Sequence, residues 1–556
     1  MFIRAKKRDN RTYLQIVENK RQGDKVVQYV KATLGRLDLL EESGQLDSLL
    51  RSGLRFSKKL LVLDAHHRGT ATTTASSKIG PALLFDRLWK ECGIQSVVKS
   101  LLGNRWFEFP LERVLFTVVL HRLFSPGSDR AAEKWMGGYT IDGIDSPISL
   151  QHFYRTMGWL GEALPEAQQL HATPFMWRAN KDLIEEGLFA LRRDLFTGLD
   201  IVFFDTTSLH FEGAMHGHLR YRGYSKNKRS DLNQIVVGVV LDDKGNPICS
   251  EVMPGNTTDV KTLIPVAQRL KNQFGVQRVC VVADRGMISK ETIGELEHLG
   301  WDYILGVRMH RVNEVRNTVV TDDGDYDEIF PPRVLSHDPA PLEAKEVTVD
   351  EHRYIVCRNE EEARKDQHDR EAILAALREQ LKQGDKSLVG NRGYRRYLKS
   401  MKGHFEIDED KVKQEERFDG KWVLRTNTDI DKKDVALKYK QLLLVEDIFR
   451  TMKSILDTRP IFHKCDDNIS GHVFCSFLAL MLRKALQDKI EAKGWTLEWA
   501  DIIRDVDKVQ EIAVVHEGKK FIIRTEASGA AGKAFQAAGV ALPPVLRDVE
   551  NRGTTP

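Results

Sequence analysis

Residues 199–211, "LDIVFFDTTSLHF", decide how the chain is read. Four consecutive apolar residues, Ile201 to Phe204, run into Asp205 and then into three hydroxyl-bearing residues, Thr206, Thr207 and Ser208. An apolar run this short, rich in Val, Ile and Phe, predicts a buried strand. A carboxylate at the carboxyl end of such a strand stands where open α/β sheets place their chemistry. Taken alone, Asp205 reads first as a strand cap or the start of a turn.

Outward from this stretch, strands and helices alternate. "NQIVVGVVLDD" and "PICSEVM" read as strands, "KTLIPVAQRLKNQF" as an amphipathic helix, "QRVCVVADRGMIS" as a strand with a turn, and "GWDYILGV" as one more strand. "RVCVVADRGM" repeats the syntax of the opening stretch, with apolar Val279 to Ala283 ahead of Asp284. Residues 310–425 break the rhythm with charged segments such as "RNEEEARKDQHDREAILAALREQLKQ", which predicts an insertion closed by "GKWVLRT". A helical period returns in "DVALKYKQLLLVEDIFRTMKSIL" and "GHVFCSFLALMLRKALQ".

Before the opening stretch the pattern differs. "RTYLQIVENKRQGDKVVQYVKATLG" alternates on both sides of "KRQGDK", a hairpin signal. Residues 1–40 carry ten Lys/Arg against four Asp/Glu, a local excess of +6 in a chain whose total is +4. Such an excess suits a polyanion through counterion release and equally suits a solvated surface. From Ser77 to Thr197 apolar residues recur three and four apart, as in "LERVLFTVVLHRLF", predicting helices. The six cysteines show no disulfide-like spacing, and no stretch of eighteen apolar residues occurs, so the expectation is a soluble cytoplasmic protein with reduced thiols and no membrane span.

Two strand-end acids in one sheet repel if the strands are neighbours, and a divalent cation is the usual reason to tolerate that repulsion. Glu446 is the candidate third acid, because Tyr439, Glu446, Arg450 and Lys453 fall on one face of a continuous helix. A Glu446–Arg450 surface pair is the plainer account of that face. Between Asp205 and the next strand, "HGHLRYRGYSKNKRSDLN" sets Arg220, Arg222, Lys226, Lys228 and Arg229 among Tyr221 and Tyr224, a composition that suits phosphates and unstacked bases. "HKCDDNISGHVFC" offers His463, Cys465, His472 and Cys475, but its spacing fits core and helix-cap roles better than zinc.

Taken in order, these motifs resemble the DDE transposases of bacterial insertion sequences, in the group marked by a Tyr-x2-Arg-x3-Glu-x6-Lys signature. Here the signature falls on Tyr439, Leu442, Glu446 and Lys453, with Leu442 where the arginine belongs. "GYSKNKRSDLNQIVVGVVLD", "EVMPGNTTDVKTLIPV" and "ADRGM" share the resemblance. It implies an α/β fold with an RNase H-like core, interrupted by a β-containing insertion that fills the 162 residues from Asp284 to Glu446, against 79 from Asp205 to Asp284. The expected organisation is a basic β-hairpin DNA-binding unit (1–60), a helical end-binding domain (61–197), the first part of the core (198–310), the insertion (311–425), the last core helices (426–490), and a C-terminal region for dimerisation or DNA contact (491–556).

The resemblance further implies that Asp205, Asp284 and Glu446 hold two Mg²⁺ ions, with Mn²⁺ as a substitute. The reaction implied is cleavage of the element's ends and joining of the 3′-hydroxyls to target DNA. The partners implied are double-stranded DNA and a second copy of the chain in the DNA complex, with the enzyme on the nucleoid when bound. Tyr439 and Lys453 would grip phosphates, and Arg450 would stand in for the missing arginine. An RNase H-like nuclease without strand transfer, and an inactive DNA-binding descendant, are the alternative classes.

Overall fold

The computed structural model describes the chain except at residues 10, 23–24, 55–56, 58–61, 63–64, 66–71, 104, 193–200, 212–216, 224–230, 277–278, 332–338, 383–393, 402–403, 457, 517–518 and 549–556. Two compact units form. The first comprises Met1–Pro81, Gly138–Thr140 and Leu497–Pro556. Its Phe2–Arg8, Arg11–Gln22 and Lys25–Arg36 make a three-stranded antiparallel sheet, and Gln22 pairs with Lys25 across the hairpin expected at "KRQGDK".

A second sheet of the same unit runs in the order Leu546–Asp548, Lys519–Arg524, Gln510–His516, Thr72–Lys78. Val514, Phe521, Ile523 and Leu546 pack with Val62 beneath it. A strand therefore lies within the stretch expected to be helical, and its partner comes from the C-terminal region. The pairing was hidden because the two halves, Lys78 with Gln510 at one end, stand hundreds of residues apart.

The second unit, Ala82–Gly137 with Ile141–Thr496, is built on a nine-stranded mixed sheet. Its strands in chain order are β1 (Ile201–His210), β2 (Gln234–Asp242), β3 (Pro247–Pro254), β4 (Cys280–Ala283), β5 (Asp302–Gly306), β6 (Asp327–Phe330), β7 (Leu342–Val349), β8 (His352–Arg358) and β9 (Lys421–Thr426). They lie side by side as β6-β7-β8-β9-β5-β4-β1-β2-β3. β1, β2 and β3 form an antiparallel meander, whereas β1, β4 and β5 run parallel.

Local chemistry explains the change of direction. A turn at Asp242–Gly245, whose Asp242 carboxylate accepts the amides of Lys244 and Asn246, is short enough only for antiparallel strands. The parallel pairs need crossovers, and helices fill them. The helices that matter here are α1 (Leu111–Phe124), α2 (Leu150–Gly161), α3 (Asn180–Arg192), α4 (Leu263–Gln273), α5 (Lys290–His298), α6 (Glu360–Lys382), α7 (Lys432–Lys440), α8 (Leu443–Arg450) and α9 (Asp466–Glu491). α4 links β3 to β4, and α5 links β4 to β5. Val266 and Leu270 of α4 and Leu296 of α5 pack on Phe204, Val281, Ala283 and Leu305 of the sheet.

Two further features differ from the sequence expectation. Most strands within residues 311–425 join the large sheet, since β9 pairs antiparallel with β5, Leu424 against Gly306, and β6 to β9 extend it, while Leu398–Met401 and His404–Ile407 form a separate two-stranded sheet. α9 is buried along nearly its whole length and packs against α1, α2 and β3. It is long and apolar enough to cross a membrane, yet 83% of its apolar window is buried inside the protein. α3 is tied to the sheet by charge: Arg269 of α4 donates to Asp182 and Glu185 of α3, both at 2.7 Å, and to Glu251 of β3 at 3.0 Å.

Candidate functional site

Asp205 does not end its strand. β1 continues to His210, and Thr206, Thr207 and Ser208, expected in a turn, are buried strand residues paired with β2. Hydroxyl and β-branched residues suit a strand interior when partners are available, and here β2 supplies them. What ends at Asp205 is the pairing with β4, whose last register pair is Phe204 with Ala283. The next residue on each strand is an acid, so parallel register sets Asp205 beside Asp284, both half-buried.

Asp284 accepts a hydrogen bond from the Tyr439 hydroxyl at 3.2 Å. Burial raises the phenol pKa far above its ordinary value, and the Asp284 carboxylate pushes it the same way, so Tyr439 stays a neutral donor. Gly306, at the end of β5, makes the approach feasible, because a Cβ there would collide with the Tyr439 hydroxyl. Tyr439 was expected on one stripe with Glu446, but the helix is broken. α7 ends at Lys440, α8 begins at Leu443, and Lys453 lies half-buried in a π-turn, Thr451–Ile455.

Leu442 caps α8 and is only 7% exposed, whereas Glu446 and Arg450 are exposed. Arg450, expected to stand in for the arginine missing at Leu442, therefore does not share that position's surroundings, since Leu442 faces the core and Arg450 faces water. Arg450 stands 3.6 Å from Asp447, in place of the expected Glu446 pair. α8 packs on β1, the strand that carries Asp205. Among the described residues, no three His, Cys, Asp or Glu side chains gather closely enough to hold a metal together.

The basic loop divides. Arg220, expected to face DNA, is 5% exposed; it donates to the His463 carbonyl at 2.6 Å and lies over the Phe211 ring. Arg222 is exposed, and Lys226, Lys228 and Arg229 lie outside the described residues. His472 and Cys475 are core residues of α9, and Cys465 caps that helix, as their spacing suggested. No disulfide joins any of the six cysteines.

A cleft of about 610 Å³ opens beside Asp284, and Thr206, Asp259, Asp284, Arg285, Arg308 and Arg311 are among the residues that line it. Arg308 fixes the turn after Asp284 by donating to the carbonyls of Arg285 and Gly286. The Thr206 hydroxyl donates to Asp259 at 2.7 Å. Asp259 and Arg308 escaped the sequence reading, although "GNTTD" repeats the pattern of an acid soon after a strand, here β3. Carboxylate oxygens are the hard donors that Mg²⁺ and Mn²⁺ take, and the absent side chain at Gly286 leaves room between the Asp259 and Asp284 carboxylates, so the residues fit such an ion.

Residues 197–482, just over half of the chain, match the family described as Transposase DDE domain. Residues 3–65 match the IS1634 family transposase N-terminal domain. No curated protein matches. Among solved structures the chain is similar to one described as the Mos1 transposase paired-end complex with left transposon end, at 14% identity and a TM-score of 0.15, over 36% of this chain and 60% of that one. With a DDE domain across its mixed sheet and an insertion-sequence N-terminal domain ahead of it, the chain belongs to the DDE transposases of bacterial insertion sequences.

Proposed function

We propose that this transposase binds the ends of an insertion sequence, cleaves them by metal-dependent phosphodiester hydrolysis, and joins the freed 3′-hydroxyls to target DNA. The observation that carries the reading is the register that sets Asp205 and Asp284 side by side on adjacent parallel strands. The order β3-β2-β1-β4-β5, with its antiparallel meander and parallel additions, supports an RNase H-like core extended by β6 to β9. Glu446 on α8, the helix packed on β1, is the third acid of the proposal.

A bound pair of divalent cations would supply an activated water, charge relief on the phosphate and stabilisation of the leaving oxygen. Asp205, Asp284 and Glu446 would hold them. Tyr439 orients the Asp284 carboxylate, and Arg308 holds the turn behind it. Arg285 and Arg311 offer charge to the DNA backbone across the cleft. Arg222 and the loop cations Lys226, Lys228 and Arg229 extend that surface in the proposal, as do Lys453 and Arg450. The complex is a dimer on paired ends.

The test is cleavage and joining of end-bearing DNA in Mg²⁺. Asp205→Asn, Asp284→Asn and Glu446→Gln are each expected to lose both activities, by 10³-fold or more on the order of known single-group losses, while retaining DNA affinity. An Asp205→Asn variant that cuts normally would overturn the assignment. Cutting without any joined product would leave a nuclease instead.

A further inference from the structure

A cavity of about 410 Å³, within the range of small-molecule sites, is lined by the turn after α1, by Tyr154 of α2 and by the loop that leads into α9. That loop hangs on the end of β1, the strand of Asp205, because the Ile461 amide donates to the His210 carbonyl at 3.2 Å. The buried residues of the lining are Asp129 and His472. Both ring nitrogens of His472 are engaged, one by Arg122 and the other by the Thr458 carbonyl. Asp129 differs: its Oδ2 is buried and, among the described residues, has no hydrogen-bond partner, with His463 Nε2 standing 3.4 Å away. The His463 contact is an ion pair only when the imidazole is protonated. Burial lowers the His463 pKa; Asp129 opposes the shift, and Arg122 and Arg220 reinforce it. A buried carboxylate oxygen that meets no donor from the protein, on the wall of a cavity, calls for a donor from a ligand.

The rest of the lining narrows the ligand. Tyr154 and Phe462 keep large aromatic rings in solvent, Phe462 the more so at 60% exposed, and Lys464 is an exposed cation. Exposed rings suit a planar group, Asp129 suits an N–H donor, and Lys464 suits negative charge. An ammonium ligand fits less well, because Arg122 and Arg220 already add positive charge around His463. We propose that this cavity takes a nucleotide whose base carries an exocyclic amino group, with the amino group donating to Asp129 Oδ2, the base stacked on Phe462 and the phosphate at Lys464. Cytosine and adenine present that amino group, whereas thymine presents a carbonyl oxygen in its place, which the carboxylate repels. The same chemistry is offered by a free nucleotide and by an unpaired nucleotide of the DNA. The site is independent of the roles given to Asp205, Asp284 and Glu446.

Calorimetry on the full chain measures binding of dCMP and dTMP and, in a second arm, of two duplexes that differ only in carrying one unpaired cytosine or one unpaired thymine, with thermal melting as the check on folding. If the cavity takes free nucleotides, dCMP is expected to bind about tenfold or more tighter than dTMP, the worth of a hydrogen bond to a charged group. If it takes only nucleotides of DNA, the mononucleotides do not bind and the same ratio separates the two duplexes. Asp129→Asn replaces the carboxylate by an amide of the same shape and should erase the preference in whichever arm shows it. Phe462→Ala removes an exposed ring and should weaken binding of the cytosine ligand by about fivefold or more while keeping the preference. Should Asp129→Asn fail to fold, Phe462→Ala decides, and unchanged binding of the cytosine ligand overturns the site. Equal binding of the cytosine and thymine ligands in both arms, or a preference that survives in folded Asp129→Asn, also overturns it.

Discussion

The Tyr439 hydroxyl donates to a carboxylate in a half-buried setting, which makes it a brace for Asp284 before it is anything to DNA. Tyr439→Phe should therefore cost about 1.5–3 kcal/mol in stability, the range for a hydrogen bond to a charged group. It should also raise the Mg²⁺ concentration needed for half-maximal cleavage while leaving the salt dependence of DNA binding unchanged. A salt slope reduced by about one unit would instead identify a phosphate contact. At Leu442 and Arg450 the expectations separate. Leu442→Ala removes a buried side chain and should cost roughly 2–4 kcal/mol in denaturant unfolding. Arg450→Ala breaks only an exposed pair with Asp447, so its stability change should stay within about 0.5 kcal/mol. If Arg450 replaces the signature arginine, its loss lowers the salt slope by about one unit; an unchanged slope with full cleavage would sink that role. Asp205 and Asp284 were legible because an apolar run stopped by an acid is a local signal. The Tyr439 contact was not. "KYKQLLLVE" contains neither Gly nor Pro, and the break between α7 and α8 comes with Leu442 and Val445 turning into the core, which no local residue announces.

Between elements, α1 and α9 of the second unit are joined at buried histidines whose pKa values are lowered. His472 of α9 accepts from Arg122 of α1 at 2.7 Å, and its other ring nitrogen lies 3.1 Å from the Thr458 carbonyl. Burial drives its pKa well below the ordinary value, with Arg122 acting in the same sense. His121 of α1 is pushed down to about 3 by burial and by Arg122, and His463 is lowered by burial although Asp129 opposes it. All three bind a proton less readily when folded than when unfolded. The unfolded chain therefore binds more protons below about pH 6.5, and stability falls as pH falls through that window, by up to about 1.4 kcal/mol per pH unit for each His. Urea midpoints between pH 7 and pH 5 should record the loss, and His121→Leu should flatten the slope by about one proton's worth. A slope equal to the wild type's would remove His121 from the account. The strands and crossovers from β1 to β5 were legible, since alternation and amphipathic period are local. That β6 to β9 extend the same sheet was not, because the β5–β9 pairing joins residues more than a hundred positions apart and leaves no mark in either strand.

At the scale of the whole molecule, the N-terminal basic sheet and the nine-stranded sheet belong to different compact units. Replacing exposed Lys6, Lys7, Arg11 and Arg21 together by Gln should weaken binding to the element's ends and lower the salt slope by about one unit for each phosphate that these side chains neutralise, with cleavage of pre-bound ends little changed. An unaltered affinity at fixed salt would move end recognition elsewhere. The charge excess of this unit was legible from composition. Its second sheet was not, for Thr72–Lys78 finds its partner only in Gln510–His516. That pairing also sets a clock. At about 5–20 residues per second, the ribosome needs roughly 20–90 s after making Lys78 before it adds Gln510, so the strand waits unpaired while nearly the whole second unit is synthesised and begins to fold. The unit expected to grip DNA is thus completed last, and a chain interrupted in translation carries Asp205, Asp284 and Glu446 without a finished N-terminal unit.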